Sequence, residues 1–189
     1  MHLLTTASLN IASAFGCLLT ADFIAGLLHW AEDTWTRPGV SKLLDTWIVN
    51  DNIDHHRRPG LIRAGDYWST NRVCIALASV AAIGLVVCHI HAWQAYLIVA
   101  MLSQSNQVHL WAHSSNPPRI VDWLQSFGLL QSRKVHGLHH KSPYATRYCT
   151  MTNYLNPLLD GVNFWRKLEW AIERCGGTVQ RTSVARGGY

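Results

Sequence analysis

The stretch VCIALASVAAIGLVVCHIHAWQAYLIVAMLSQSNQVHLWAH, residues 73–113, decides the fold: it holds no Lys, Arg, Asp or Glu, and the silence extends to Pro118. As one straight helix it would run about 60 Å at about 1.5 Å per residue, twice the hydrocarbon thickness of a bilayer. The chain must therefore turn back on itself, and the polar break His89-Ile90-His91-Ala92-Trp93-Gln94 is the natural place. Two predicted spans follow, roughly 73–90 and 93–113. Working outward, the segment at about 9–30 carries a single charge, Asp22, and supplies a third span. Ala12-Ser13-Ala14 imitates a leader cleavage site, but no Lys or Arg stands ahead of it, so the segment reads as a span.

Charged residues make up 14% of the 189, against roughly 25% in soluble domains. Disorder and a purely soluble domain are excluded. The prediction is an all-α, polytopic helical membrane bundle of about three transmembrane helices, as a single domain over residues 1–175 with a loose tail over 176–189. Six Lys and Arg (Arg37, Lys42, Arg57, Arg58, Arg63, Arg72) lie between the first and second spans, and the other ten follow the third. With three spans both regions share one side, and the positive-inside rule makes it the cytoplasm. The membrane is then the inner membrane of a bacterium or the endoplasmic reticulum of a eukaryote. The net charge of +5 is explained by basic loops beside an anionic leaflet, without nucleic acid. The five cysteines form no CxxC pair and read as free thiols. Ile120–Leu130 and Gly161–Arg174 read as interfacial amphipathic helices. Trp30, Trp35, Trp68, Trp93, Trp111, Trp123, Trp165 and Trp170 read as interfacial belts.

Histidine equals all carboxylates together, 11 against 11. His2, His89 and His91 fall at the terminus or in the far-side turn. The other eight form four groups: His29; His55-His56; His109-x3-His113; His136-x2-His139-His140. The topology, built from charges alone, sends every group to the cytoplasmic end of a span or beyond it. Spacings of three and four place residues on one helix face, so His109 and His113 share a face with Asn106. Asp22, Gly26, His29 and Asp33 form a second stripe. His55-His56-Arg57-Arg58-Pro59 and His139-His140-Lys141-Ser142-Pro143 are both HHxxP, and the proline predicts that each pair closes a short helix. Neutral imidazole suits Zn, Cu, Fe and Ni. Eight imidazoles are enough for two ions with room for water or oxygen, a catalytic rather than a structural arrangement.

The run Asp22-x3-Gly26-x2-His29-Trp30-x2-Asp33-Thr34-Trp35, then His55-His56-x2-Pro59, then Asn106-Gln107-x-His109-x-Trp111-Ala112-His113 resembles the Kua, or plasmanylethanolamine desaturase, family of lipid desaturases. So does His136-x2-His139-His140-x2-Pro143, followed by Tyr148-Cys149, Asn156 and Phe164-Trp165-Arg166-x-Leu168-Glu169. Where members carry Gly-Trp ahead of the asparagine matched by Asn156, this chain has Tyr154-Leu155. The resemblance implies a non-haem di-iron centre held by the eight histidines, O2 as oxidant, and an external electron donor such as cytochrome b5 or a ferredoxin. It implies a membrane phospholipid as substrate, with the 1-O-alkyl chain of an ethanolamine phospholipid, oxidised to a vinyl ether, as the first choice.

Other readings stay open: desaturation of an acyl chain in a lipid such as phosphatidylglycerol, a related di-iron lipid hydroxylase, or a histidine-rich metal transporter. Asp22, Asp33, Asp54 and Asp160 are candidates to orient ligand histidines through their second nitrogen. Arg57, Arg58, Arg63 and Lys141 are candidates to hold a lipid phosphate.

Overall fold

The computed structural model describes residues 2–179, and these contain helices and no strand. Helix α1, His2–Trp35, is followed by the short α2, Lys42–Leu44, and by a π-turn that leads into α3, Asn50–Arg57. A 3-10 turn from Pro59 precedes α4, Tyr67–Val87, then α5, Trp93–Ser103, and α6, Ser105–His113. Beyond them lie α7, Arg119–Ser126; α8, Arg133–His136; α9, Leu155–Gly161; and α10, Phe164–Arg174.

Two helices are long and apolar enough to cross a membrane, Thr5–Trp35 and Tyr67–Val87. The outer face of α4 leaves Leu77, Val80, Ile83, Val86 and Val87 largely uncovered by protein, as expected of a helix whose solvent on that side is lipid. The predicted third span differs: it is interrupted at Gln104, between α5 and α6. The Gln104 amide bonds the Met101 carbonyl at 3.0 Å, a tighter turn than α. On either side the Ser103 and Ser105 hydroxyls bond the carbonyls of Ala100 at 2.7 Å and Leu102 at 2.9 Å. Serine side chains that compete for helix carbonyls in this way bend the rod.

α5 packs against both α1 and α4, and α6 against α4. Polar side chains tie the start of α4 to the α6 region. Tyr67 donates to Gln104 Oε1 at 2.9 Å, Asn106 to the Thr70 carbonyl at 3.0 Å, and Asn71 to Gln107 Oε1 at 3.2 Å.

The stripe on α1 is a cradle for a backbone segment. Asp22 accepts from the amides of Met151 at 2.8 Å and Thr152 at 3.1 Å, and from the Thr152 hydroxyl at 2.6 Å. One turn on, a Cβ at Gly26 would lie 2.7 Å from Cys149 Sγ and 3.2 Å from its Cα, so only glycine lets the segment cross. The other side of the segment is pinned by Asn156, which both donates to and accepts from the Cys149 backbone, and by Gln131, which donates to the Cys149 carbonyl at 2.6 Å. These side chains satisfy buried backbone that has no sheet to join.

Several expectations are corrected here. Trp30 and Trp165 are 5% and 2% exposed and form a core with Tyr148 and Cys149, not part of an interfacial belt. The Phe164, Leu168, Ile172 stripe of α10 packs on that core, while Trp170 stays exposed. Trp68, Trp93 and Trp123 are exposed as expected. Of the predicted tail, residues 180–189 lie outside the described residues.

Candidate metal centre

All eight histidines converge, in two adjoining groups. His55, His109, His113, His136 and His140 form the first; His29, His56 and His139 form the second together with Asp33. Within each group one potential ligand atom per residue lies within 4.8 Å of every other. Each HHxxP pair straddles the two groups, with His55 and His140 on one side and His56 and His139 on the other. The His55-His56 pair closes α3 as expected. The second pair does not close a helix: α8 ends at His136, and tight turns bonded from Leu138 to Val135 and from His139 to His136 carry the chain through the pair. His89 and His91 sit in the α4–α5 turn, outside both groups.

In the first group the ring nitrogens crowd. His109 Nε2 is 2.8 Å from His136 Nε2 and 3.3 Å from His113 Nε2, while His136 Nε2 is also 3.0 Å from His140 Nε2. A nitrogen of a neutral imidazole either donates or accepts, so none of these can serve two neighbours in both senses. Neither ring nitrogen of the buried His55 has a hydrogen-bond partner. Burial, reinforced by the neighbouring imidazoles, holds His55, His136 and His140 well below the ordinary histidine pKa. The rings are therefore neutral, the form that binds metal.

The second group makes the same demand through a carboxylate. His29 Nδ1 donates to the Tyr148 carbonyl at 3.0 Å and His139 Nδ1 to the Thr146 carbonyl at 2.8 Å. A carbonyl only accepts, so in each neutral ring the proton sits on Nδ1 and Nε2 presents its lone pair inward. Those lone pairs face Asp33 Oδ2 at 3.7 and 3.4 Å. None of the three atoms has a hydrogen-bond partner. Asp33 Oδ1 is satisfied, by His56 at 2.9 Å and by the Asn52 amide at 3.1 Å. A cation among the three orphaned atoms turns mutual repulsion into bonds, so the residues fit a metal.

Of the acidic candidates, only Asp33 meets the histidine nitrogens, and it faces the inner nitrogens rather than the outer ones. The outer nitrogens of His29 and His139 are held by backbone carbonyls. Asp22 clamps the 151–152 backbone, Asp160 accepts from the Arg147 amide at 3.3 Å, and Asp54 is exposed. The HxxxD spacing of His29 and Asp33 was the available sign that one helix face presents both. A cavity of about 450 Å³ opens beside the groups, between α1, α3, α4 and α6, with His29, His55 and His109 in its wall. Among the proposed phosphate holders, Arg57, Arg58 and Lys141 are exposed and stand outside that wall, which instead contains Arg72.

Comparison with known proteins gives the family. The lipid desaturase domain family model matches residues 18–183. The chain belongs to that family. It is 27% identical over 176 residues to plasmanylethanolamine desaturase 1 of Mus musculus, an alignment covering 86% of this chain and 65% of the relative. It is 31% identical over 176 residues to the plasmanylethanolamine desaturase of Myxococcus xanthus, covering 86% and 60%. It is 33% identical over 160 residues to the chloroplastic fatty acid desaturase 4-like 1 of Arabidopsis thaliana, covering 80% and 52%. The chain thus spans less than two thirds of the length of these relatives. No solved structure matches it.

Proposed function

We propose that this chain is an O2-dependent di-iron lipid desaturase, a single membrane-embedded domain over residues 1–175. The reading is carried by one observation: eight buried or half-buried imidazoles and Asp33 meet in two touching groups with orphaned inner atoms. His55, His109, His113, His136 and His140 would hold one iron, and His29, His56 and His139 with Asp33 the other. Removing two hydrogens from an unactivated chain is beyond any side chain, and the iron pair with O2 supplies that oxidising power. Overall, one CH2–CH2 unit, O2, two electrons and two protons give CH=CH and two waters. The electrons come from an external donor such as cytochrome b5 or a ferredoxin.

The protein's own work is placement. The carbonyls of Tyr148 and Thr146 fix the tautomers of His29 and His139. Leu28, Ile48, Val73 and Leu77 line the cavity with apolar surface suited to a hydrocarbon chain, and His29, His55 and His109 close its inner wall. Tyr67 and the exposed Trp68 begin α4 at the same end of the bundle. Aromatic side chains there mark the membrane–water interface, so the chemistry falls near the glycerol backbone of a lipid.

We assign α5 and α6 together to a third span, bent at Gln104. α5 alone has 11 residues, about 16 Å, too short to cross. The basic residues then share the side of the histidines, which is the cytoplasm by the positive-inside rule. The substrate choice is a 1-O-alkyl ethanolamine phospholipid, which yields a vinyl ether. The names of the mouse and bacterial relatives support it. Expression in a host lacking vinyl ethers, fed an alkylglycerol, tests the reading. Mild acid should release a fatty aldehyde from the extracted lipid. A new acyl double bond without aldehyde moves the substrate to the acyl branch, and neither product rejects the desaturase.

A further inference from the structure

We infer that Arg72 and Asp51, at the mouth of the α1–α3–α4–α6 cavity, form a specificity pair for a zwitterionic phospholipid headgroup, with Arg72 on the phosphate and Asp51 on the ammonium. The inference rests on the lipid reading above and adds the residues that choose among lipids.

The mouth is identified by burial. His29, His55 and His109 in the cavity wall are 7 to 8% exposed, whereas the Asp51 and Arg72 side chains in the same wall are 64% and 36% exposed. Arg72 lies on α4 a little over one turn past Trp68, whose 68% exposure fits an interfacial anchor. The pair therefore sits at headgroup depth while the chain-binding wall runs inward to the histidines.

The charges of the wall favour one headgroup class. Among the described residues, Glu32, Asp51 and Asp54 line the cavity with carboxylates, and Arg72 is its guanidinium. Arg72 Nη2 bonds Asp51 Oδ2 at 2.9 Å and the Thr46 carbonyl at 3.2 Å, and its guanidinium stacks over Trp47 at 5.5 Å. Both of its bonds are made through Nη2 while the side chain is 36% exposed, so the five-donor fork keeps N–H groups for an incoming phosphate oxygen. A phosphate on Arg72 leaves Asp51 in need of a new cation, which a headgroup ammonium supplies. An anionic glycerol headgroup offers none and meets the exposed carboxylates of Asp51 and Asp54, so it is disfavoured by unpaired and like charges.

The test is lipid retention by the whole purified protein in detergent micelles doped with equal amounts of phosphatidylethanolamine and phosphatidylglycerol of identical chains, quantified by mass spectrometry. Wild type should retain the ethanolamine lipid in excess, and Asp51→Lys should reverse that excess. Arg72→Gln should lower retention of both lipids about tenfold. Because Arg72 also ties α3 to α4, the exposed Asp51→Lys variant decides. An unchanged lipid ratio in a variant of wild-type helicity and iron content overturns the proposal, as does a wild type with no preference. Turnover is followed in parallel, with O2 and a reduced electron donor supplied, in vesicles that contain both headgroups on 1-O-alkyl and on diacyl backbones. A ratio that reverses while no lipid is ever desaturated upholds the headgroup pair and rejects the desaturase reading. Desaturation by a variant whose ratio has not moved does the opposite.

Discussion

The two histidine groups touch, yet they are built differently. The group with Asp33 stands on α1, a 34-residue helix, and two of its three rings are tied through their outer nitrogens to backbone carbonyls. All four of its residues are buried. The five-histidine group is assembled from the end of α3, from α6, and from α8 with the turn after it. Its crowded inner nitrogens meet one another, and the outer nitrogens of His55, His136 and His140 are unpartnered. It carries no carboxylate to offset a cation. The comparison teaches that the Asp33 half is pre-organised by protein, whereas the five-histidine half would depend on a bound ion for order.

The largest expected effect separates the halves by metal count. Asp33→Asn keeps the shape of the carboxylate but removes the charge. Iron per purified chain should fall from two to one, and turnover by more than about a hundredfold. His136→Ala, at the crowded centre of the other half, should cost as much turnover yet leave one iron on the Asp33 side. Loss of both irons from either variant, by elemental analysis, would show that the halves fold as one site.

Chelation sharpens the contrast. Because binding free energy adds to stability, iron removal should lower the melting temperature by several degrees. In hydrogen exchange the loss of protection should centre on α8 and residues 137–142, while α1 stays protected. Equal loosening of α1 would remove the distinction drawn here.

A smaller effect concerns the cradle behind the pre-organised half. Gly26→Ala places a methyl group against Cys149, which should destabilise the fold by about 1–3 kcal/mol. It should also shift the Tyr148 carbonyl that His29 uses. Thermal unfolding checks the first consequence and iron content the second. The smallest expected effect is none. His89→Ala and His91→Ala should retain full turnover, since both residues lie at the opposite end of α4 from the histidine groups. Loss of activity in either would break the proposed three-span topology.

The eight histidines, the apolar helices and the α1 stripe were legible in the sequence, because helical spacing and the absence of charge are local properties. The bend at Gln104 had a local sign too, the Ser103-Gln104-Ser105 run within an otherwise apolar stretch. Trp30 and Trp165 could not be placed, since an indole suits an interface and a core equally well. Trp30 donates to Glu169, 139 residues away, at 3.2 Å. No periodicity reports such a distant contact.

The partition of the histidines into two groups was likewise invisible. Adjacent residues such as His55 and His56 point in different directions from one helix, and only the arrival of α1 and α6 on either side assigns each ring to a half. Nor could spacing alone say that Asp33 faces inner nitrogens and Asp22 clamps a backbone, because that depends on where residues 148–152 cross α1. Local chemistry thus picked out the histidines that gather at one end of the bundle. The tertiary structure decided which nitrogens His29 and His139 turn inward and which histidines fall into one group, because those outcomes follow from long-range packing and from hydrogen bonds to carbonyls that any residue could supply.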